Sequence, residues 1–353
     1  MSDMTGGRRI ATMLAAEGVD TVFGIIDGSY YGLYSSLGEH GIRLITPRHE
    51  TSAVHMAGAY ARMTGRLGVC IASNGPGAAN ALSGVAVEQG EGNRVLLITS
   101  WRRTGIVGPD RGGTYQYFDQ PAVIGAMSKS SEAVASIDRL PEAMARAFRH
   151  CWHGRPGVVH VTVPEDIVNN PFEAPARPDP APARSRRQQP PAPDPALVRR
   201  AAEMLIEAGS PMIHAGTGTV HSGAHAELRR VAELLAAPVT TSWGGRDAID
   251  ERLDVSVPMW DIELNNQVRN EADCVLALGT RFGETDWWGK PPYWRTADEQ
   301  RLIQVDLDEV ALGRNKPVDL AVVADATAFL AALGDQLETL DLTGVMAART
   351  ERL

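Results

Sequence analysis

The sequence predicts an α/β protein built from two doubly wound parallel-sheet domains. Three observations carry this. Gly68–Ala72 is apolar throughout and Val95–Thr99 is apolar up to its last residue, as expected of strands buried on both faces of a sheet. These runs alternate with small-residue or amphipathic helical stretches, the pattern of successive βαβ units. A Pro/Arg/Ala-rich stretch from about Pro171 to Pro193 separates two such blocks. Proline lacks the backbone donor that a ladder needs and breaks helix interiors, so this stretch reads as an extended linker. The predicted organisation is a first domain over 1–170, a linker over 171–193 and a second domain over 194–345.

The first block opens with apolar spacing at Ile10, Met13 and Leu14, a helix that ends near Gly18. Thr21–Gly24 and Arg43–Thr46 follow as strands, and Thr51–Arg62 as an Ala- and Met-rich helix. After the strand Gly68–Ala72, Asn74-Gly75-Pro76-Gly77 must turn tightly into a helix over Ala78–Gln89. Val158–Val163 closes the block behind the turn Gly154-Arg155-Pro156-Gly157. In the second block Asp194 caps a helix, Pro195 takes its first position and Gly209 its end. Met212–Ala215 runs as a strand into Gly216-Thr217-Gly218. Further strands fall near Val239, over Cys274–Leu278 and over Leu302–Val305, and Ala326–Leu340 is the closing helix.

The chain has 353 residues and a formal net charge of -9. An acidic balance disfavours nucleic acid and anionic membrane as partners. No apolar stretch is long enough to span a bilayer, and the N-terminus lacks a signal-peptide core. Three widely spaced cysteines, Cys70, Cys151 and Cys274, form neither a disulfide framework nor a metal-binding spacing, which suits a reducing cytoplasm.

Ligands of open parallel sheets bind outside the carboxyl ends of the strands. Three loops of the first block leave strands at that edge: Ile25-Ile26-Asp27-Gly28-Ser29, Pro47-Arg48-His49-Glu50 and Ser73-Asn74-Gly75-Pro76-Gly77. Glu50 stands before an apolar helix, where partial desolvation suits a carboxylate that shuttles protons. Spacing alone favours the simpler reading, a negative charge that caps a helix N-terminus. His49, Glu50 and His55 do not share the spacing of a metal motif, so no metal is assigned to them. Gly75-Pro76-Gly77 and Gly216-Thr217-Gly218 are partial matches to phosphate-cradling loops, and either reads equally well as a tight strand-to-helix turn.

Together these segments resemble the superfamily of acetolactate synthase, pyruvate oxidase and benzoylformate decarboxylase, which depends on thiamine diphosphate. Glu17–Gly24, Arg48-His49-Glu50 with the following Ala53–Arg62, and Gly68–Cys70 leading to Asn74–Asn80 resemble the family's pyrimidine-binding domain, as does Gly154–Pro164. Ala237-Pro238-Val239, Leu278-Gly279 with Arg281-Phe282, and Asp306-Leu307-Asp308 resemble its central domain. The resemblance implies that Glu50 hydrogen-bonds N1′ of the aminopyrimidine and so promotes loss of the thiazolium C2 proton. It implies that Asp27, Gly28, Ser73, Asn74, Gly75, Pro76 and Gly77 line the cofactor, and that Gln116 is a hydrogen-bond donor on the substrate side. FAD or ADP in the central domain is left open.

Departures from the family pattern qualify what is implied. Ile26-Asp27-Gly28 stands where Pro-Gly-Gly is common, and Val87–Arg94 replaces an Asp-Ser-x-Pro pattern. Tyr30, Tyr31, Tyr34, Trp101, Tyr115, Tyr117 and Phe118 could line the mouth or simply pack. The Gly-Asp-Gly segment that holds Mg²⁺ and the diphosphate in the family has no counterpart. Gly334-Asp335-Gln336 falls inside the closing helix instead. The expectation is a large subunit that works with a separate small diphosphate-binding chain in an α₂β₂ assembly around a homodimer. It would act on a 2-oxo acid or a related acyloin or diketone. The competing readings are a non-catalytic nucleotide-binding relic and a piece of a longer polypeptide.

Overall fold

A computed structural model describes residues 4–107, 112–173 and 179–350, and the chain divides into two compact units, Met1–Gln188 and Gln189–Leu353. Each is an α/β unit built on a parallel sheet, as the alternation of elements requires.

In the first unit the strands are β1 (Thr21–Gly24), β2 (Arg43–Ile45), β3 (Gly68–Ala72), β4 (Val95–Trp101), β5 (Ser130–Ala133) and β6 (Val158–Pro164). Among the described residues they pair in parallel in the order β2-β1-β3-β4-β6-β5. The central strands β3 and β6 are buried along their whole length; β3 reads as an unbroken apolar run, while β6 interrupts its valines with the buried His160 and Thr162. β5 carried no such signal. It is a half-exposed polar strand at the sheet edge, paired on one side only, so no alternation is imposed on it.

Helix α1 (Gly6–Ala16) is capped by Thr5, whose side chain accepts from the Arg8 amide. It lays Ile10, Ala11 and Leu14 into a core on one sheet face with Val22, Val69, Leu96 and Val161. Beyond α2 (Tyr31–Leu37), α3 (Glu50–Thr64) packs on the opposite face through Ala53, Val54 and Ala57 against Cys70, Ala72 and Leu97. Small residues on α3 allow close approach. A Cβ on Gly68 would stand 2.0 Å from the Ala57 carbonyl oxygen.

The strand order reverses direction at β1, which pairs with β2 on one side and β3 on the other. Such a switch point leaves a crevice where the flanking loops diverge. Here the loops are those that follow β1 and β3.

Most of the proline-rich stretch that is described lies against this first unit. Pro171–Phe172 pairs antiparallel with Met4–Thr5. Asp179 takes both ends of the Arg9 guanidinium, at 2.9 and 2.7 Å. Arg186 bonds Glu17 at 2.6 Å and lies over the Trp152 ring, which Arg94 also covers. Residues 174–178 lie outside the described residues.

The second unit has strands β7 (Pro211–Ala215), β8 (Val239–Thr241), β9 (Cys274–Leu278), β10 (Arg301–Asp306) and β11 (Leu320–Val323), in the order β8-β7-β9-β10-β11. The expected cap at Asp194 is present, accepting from the Ala196 amide at 2.8 Å. The helix it opens stops at Glu207, two residues before the expected Gly209, because Ala208 turns extended and Asp273 accepts from the Gly209 amide at 2.7 Å. No helix among the described residues is long and apolar enough to cross a membrane.

Candidate active site

The first-unit crevice is assembled from three strand ends. After β1, Asp27 caps a short turn: its Oδ1 accepts from the Ser29 amide at 2.9 Å and from the Ser29 hydroxyl at 2.5 Å. The Ser29 hydroxyl also lies 2.5 Å from that of Ser100 at the end of β4, and Ser100 lies 3.5 Å from Asn74 Oδ1. Asp27, Ser29, Ser100 and Asn74 therefore form one polar chain across the ends of β1, β3 and β4. Gly28 sits in the same turn, its carbonyl accepting from Asn169. Tyr30 is buried behind it, donating to the Ile25 carbonyl, and burial pushes its phenol well above the ordinary value, with Asp27 and Glu50 adding to the shift.

Glu50 is the first residue of α3, yet it does not cap that helix. His49 does, its Nδ1 accepting from the Thr51 amide at 3.2 Å. The Glu50 carboxylate is left half-buried and turns toward the glycine turn, where Asn80 Nδ2 donates to its Oε2 at 3.0 Å. Asn80 closes α4 (Pro76–Asn80), which Pro76 opens at a position that needs no amide donor and which α5 (Leu82–Glu91) follows. The other oxygen, Oε1, lies 3.4 Å from where a Cβ on Gly77 would stand, and Ser73 Oγ 2.6 Å from the same point. A hydrogen-bond acceptor thus faces a stretch of backbone without side chain.

Gly75 enters α4 at φ 59°, ψ −112°, a conformation that only glycine adopts without strain. Its bare Cα packs on the Gln116 backbone, whose carbonyl oxygen would lie 2.5 Å from an added Cβ. Gln116 is itself left-handed, at φ 54°. Its carbonyl accepts from Asn74 Nδ2 at 3.0 Å, while its side chain is exposed. Asp27, Gly28, Glu50, Ser73, Asn74, Gly75, Pro76, Gly77 and Gln116 are therefore all at one edge of one sheet. Sequence reasoning missed Asn80, Ser100 and the fully buried Gln120, whose Oε1 accepts from the Gly75 amide at 3.1 Å. Asn80 and Gln120 lie within a few residues of segments already singled out, but nothing in their spacing marks where their side chains point.

The chemistry of this donor and acceptor set fits an aminopyrimidine. A flat heteroaromatic ring can lie on side-chain-free backbone while a carboxylate accepts from a ring nitrogen. Among the described residues no group of His, Cys, Asp and Glu is arranged to hold a metal ion.

In the second unit Gly216, Gly218 and Gly279 face one another. A Cβ on Gly218 would meet Gly279 Cα at 2.7 Å, and one on Gly216 would meet the Gly279 oxygen at 2.4 Å. This turn is the close packing of two strand ends.

Residues 4–123 match the family described as thiamine pyrophosphate enzyme, N-terminal TPP binding domain, and residues 198–333 match thiamine pyrophosphate enzyme, central domain. Both domains belong to the thiamine pyrophosphate enzyme family. Among curated relatives, a probable acetolactate synthase large subunit of Methanocaldococcus jannaschii is 31% identical over 92% of this chain and 54% of its own length. The acetolactate synthase large subunit of Mycobacterium tuberculosis is 32% identical over 94% of this chain and 53% of its own length. A probable 2-ketoarginine decarboxylase of Pseudomonas aeruginosa is 34% identical over 94% and 57%. The chain thus spans about half the length of the curated relatives it matches.

Proposed function

We propose that this chain supplies the pyrimidine-binding half of the active site of a thiamine-diphosphate enzyme acting on a 2-oxo acid, or on an acyloin or diketone. The reaction is a decarboxylation, a carboligation or a carbon–carbon cleavage. The observation that carries the reading is the Glu50 carboxylate, freed from helix capping by His49, pinned by Asn80 and set beside the bare backbone of Gly77. Bound there, the cofactor supplies a carbon acid that becomes a nucleophile and electron sink for decarboxylation.

The chain's own residues do the following. Glu50 holds a proton at its free oxygen or gives it up to the ring nitrogen beside it. Asn80 fixes the carboxylate's orientation. Gly75 and Gly77 admit the ring, and Asp27, Gly28, Ser73, Asn74 and Pro76 shape the pocket around it. Gln116 lies exposed at the rim, where its amide can donate to a substrate oxygen.

Mg²⁺ and the diphosphate are assigned to residues outside this chain, on a separate small subunit joined with two copies of this chain in an α₂β₂ assembly. The three cysteines are free and buried, which suits a cytoplasmic setting. FAD or ADP in the central domain is compatible with this reading, and is the sole ligand in the alternative, a non-catalytic nucleotide-binding relic.

The test is Glu50→Gln in the complex that binds thiamine diphosphate with Mg²⁺. C2-proton exchange of the bound cofactor should slow by about 100-fold or more, the scale of lost general acid–base catalysis, with assembly intact. Exchange at the wild-type rate would refute the role. Nucleotide binding by the chain alone, with no complex formed, would favour the relic.

A further inference from the structure

Gln120 is fully buried at the first position of α6 (Gln120–Gly125), where Asp119 caps the helix through the Ala122 amide. A glutamine there brings four hydrogen-bonding positions into the interior, and a buried amide persists only where these are satisfied. All are. Oε1 accepts from the Gly75 amide at 3.1 Å. Nε2 donates toward Thr99 Oγ1 at 2.8 Å, Thr162 Oγ1 at 2.9 Å and the Ser100 carbonyl at 3.0 Å.

The network continues across the sheet. Thr99 lies 2.8 Å from His160 Nε2, and His160 Nδ1 lies 2.7 Å from the Ser131 hydroxyl. One proton assignment satisfies every member. Ser131 donates to His160 Nδ1, and His160 Nε2–H donates to Thr99. The Thr99 hydroxyl donates to Thr162 at 2.9 Å, and Thr162 donates to the Ser100 carbonyl at 3.4 Å. That leaves acceptor positions on Thr99, Thr162 and Ser100 for the two Gln120 N–H groups. His160 must be neutral in this arrangement, and complete burial does hold its imidazole neutral.

The effect is to lock Gly75 to the ends of β4 and β6. Gly75 in turn carries two site residues. Its bare Cα seats the left-handed Gln116, and it opens α4, whose last residue Asn80 holds Glu50. Asn74, beside it, donates to the Gln116 carbonyl.

We propose that Gln120 is a positioning residue for the reaction. It sets the place of Glu50 through Gly75, α4 and Asn80, and that of Gln116 through the backbone packed on Gly75. The proposal rests on the thiamine-diphosphate reading of the site. A glutamine that merely fills the core would stabilise the unit without affecting the cofactor's chemistry, so the two roles separate experimentally.

The experiment compares wild type, Gln120→Leu and Gln120→Glu in two assays. The first is amide hydrogen exchange of the chain alone, followed over residues 74–80 and 112–120. The second is C2-proton exchange of thiamine diphosphate in the reconstituted complex, at saturating cofactor. Gln120→Leu keeps a side chain of comparable volume but removes all four interactions. Exchange over 74–80 should rise about tenfold, with the second unit unchanged. The C2 rate should fall about 100-fold, the scale of a 1 Å misplacement.

Gln120→Glu supplies a rescue. Its protonated carboxyl can accept from Gly75 and donate once toward Thr99, whereas its carboxylate can only accept. The C2 rate of this variant, taken relative to wild type at each pH, should climb as pH is lowered. It also serves if Gln120→Leu fails to fold. A normal C2 rate in Gln120→Leu, or a relative rate of Gln120→Glu that is flat with pH, would overturn the positioning role. If the wild-type complex itself exchanges no C2 proton, the functional reading falls and this inference with it.

Discussion

Replacing Gly75 by alanine tests the geometry of the glycine turn most directly, because two separate costs can be worked out. At φ 59°, ψ −112° the backbone lies where an L side chain is strained. Holding a residue in such a region costs about 1–3 kcal/mol. The added Cβ would also stand 2.5 Å from the Gln116 oxygen and 2.8 Å from its carbonyl carbon. These are backbone atoms, which cannot rotate aside, and forcing a methyl into such a contact costs a further ~1–3 kcal/mol. The expected loss is therefore about 2–6 kcal/mol. For a unit of this size that lowers the thermal midpoint by roughly 4–24 °C.

Gly77→Ala is the internal control. Its Cβ would meet Ser73 Oγ at 2.6 Å, the end of a side chain that can turn away, and Glu50 Oε1 at 3.4 Å. Alanine also favours the helix by up to about 1 kcal/mol over glycine. This variant should keep its stability within about 1 kcal/mol, while its methyl fills the space beside the carboxylate and weakens cofactor binding. The assay is calorimetry with hydrogen exchange, to assign each transition to its unit, together with thiamine-diphosphate titration of the complex. A first-unit transition of Gly75→Ala within 2 °C of wild type would mean that the turn relaxes freely and the strain argument is wrong.

Two further outcomes are expected. His160 is neutral in the folded state, its pKa lowered by burial from 6.5 to about 3. The unfolded chain therefore binds a proton that the folded one refuses, and stability falls as pH drops from about 6.5 toward 3. The 3.5-unit difference corresponds to a loss on the order of 5 kcal/mol at the acid limit, and urea titrations of His160→Gln across that window should show a slope shallower by one proton. Arg186→Ala leaves the buried Glu17 carboxylate accepting from the Trp152 indole N–H without its guanidinium partner, and removes that guanidinium from over the Trp152 ring. Breaking a buried pair costs about 3 kcal/mol. Since burial already raises the Glu17 pKa, the deficit should shrink in acid as the carboxyl takes up its proton. Limited proteolysis should cut residues 179–188 faster, and an unchanged cleavage rate would show that Arg186 does not hold the segment down.

What the sequence by itself determined is local or periodic in character. Gly68–Ala72 was readable as a buried strand because burial on both faces favours an unbroken apolar run, and Val158–Val163 because valines recur through it, although His160 and Thr162 are buried there too. The tight turn at Gly75 was readable because a Gly-Pro-Gly stretch permits little else. Glu50 could be singled out by its position ahead of an apolar helix and by the resemblance of the residues around it. The strand Ser130–Ala133 was not legible, since an edge strand half open to solvent carries no required pattern.

Only the tertiary structure decided what Glu50 is free to do. Whether it caps its helix or faces the crevice depends on His49 taking the cap and on Asn80, thirty residues away, reaching its other side. The same holds for Gln120, one polar residue among many in the sequence, whose partners come from β4, β6 and the glycine turn. Spacing along the chain reports which face of one element a residue shares. A hydrogen bond between elements is set by sheet order and register, and these exist only once the chain has folded.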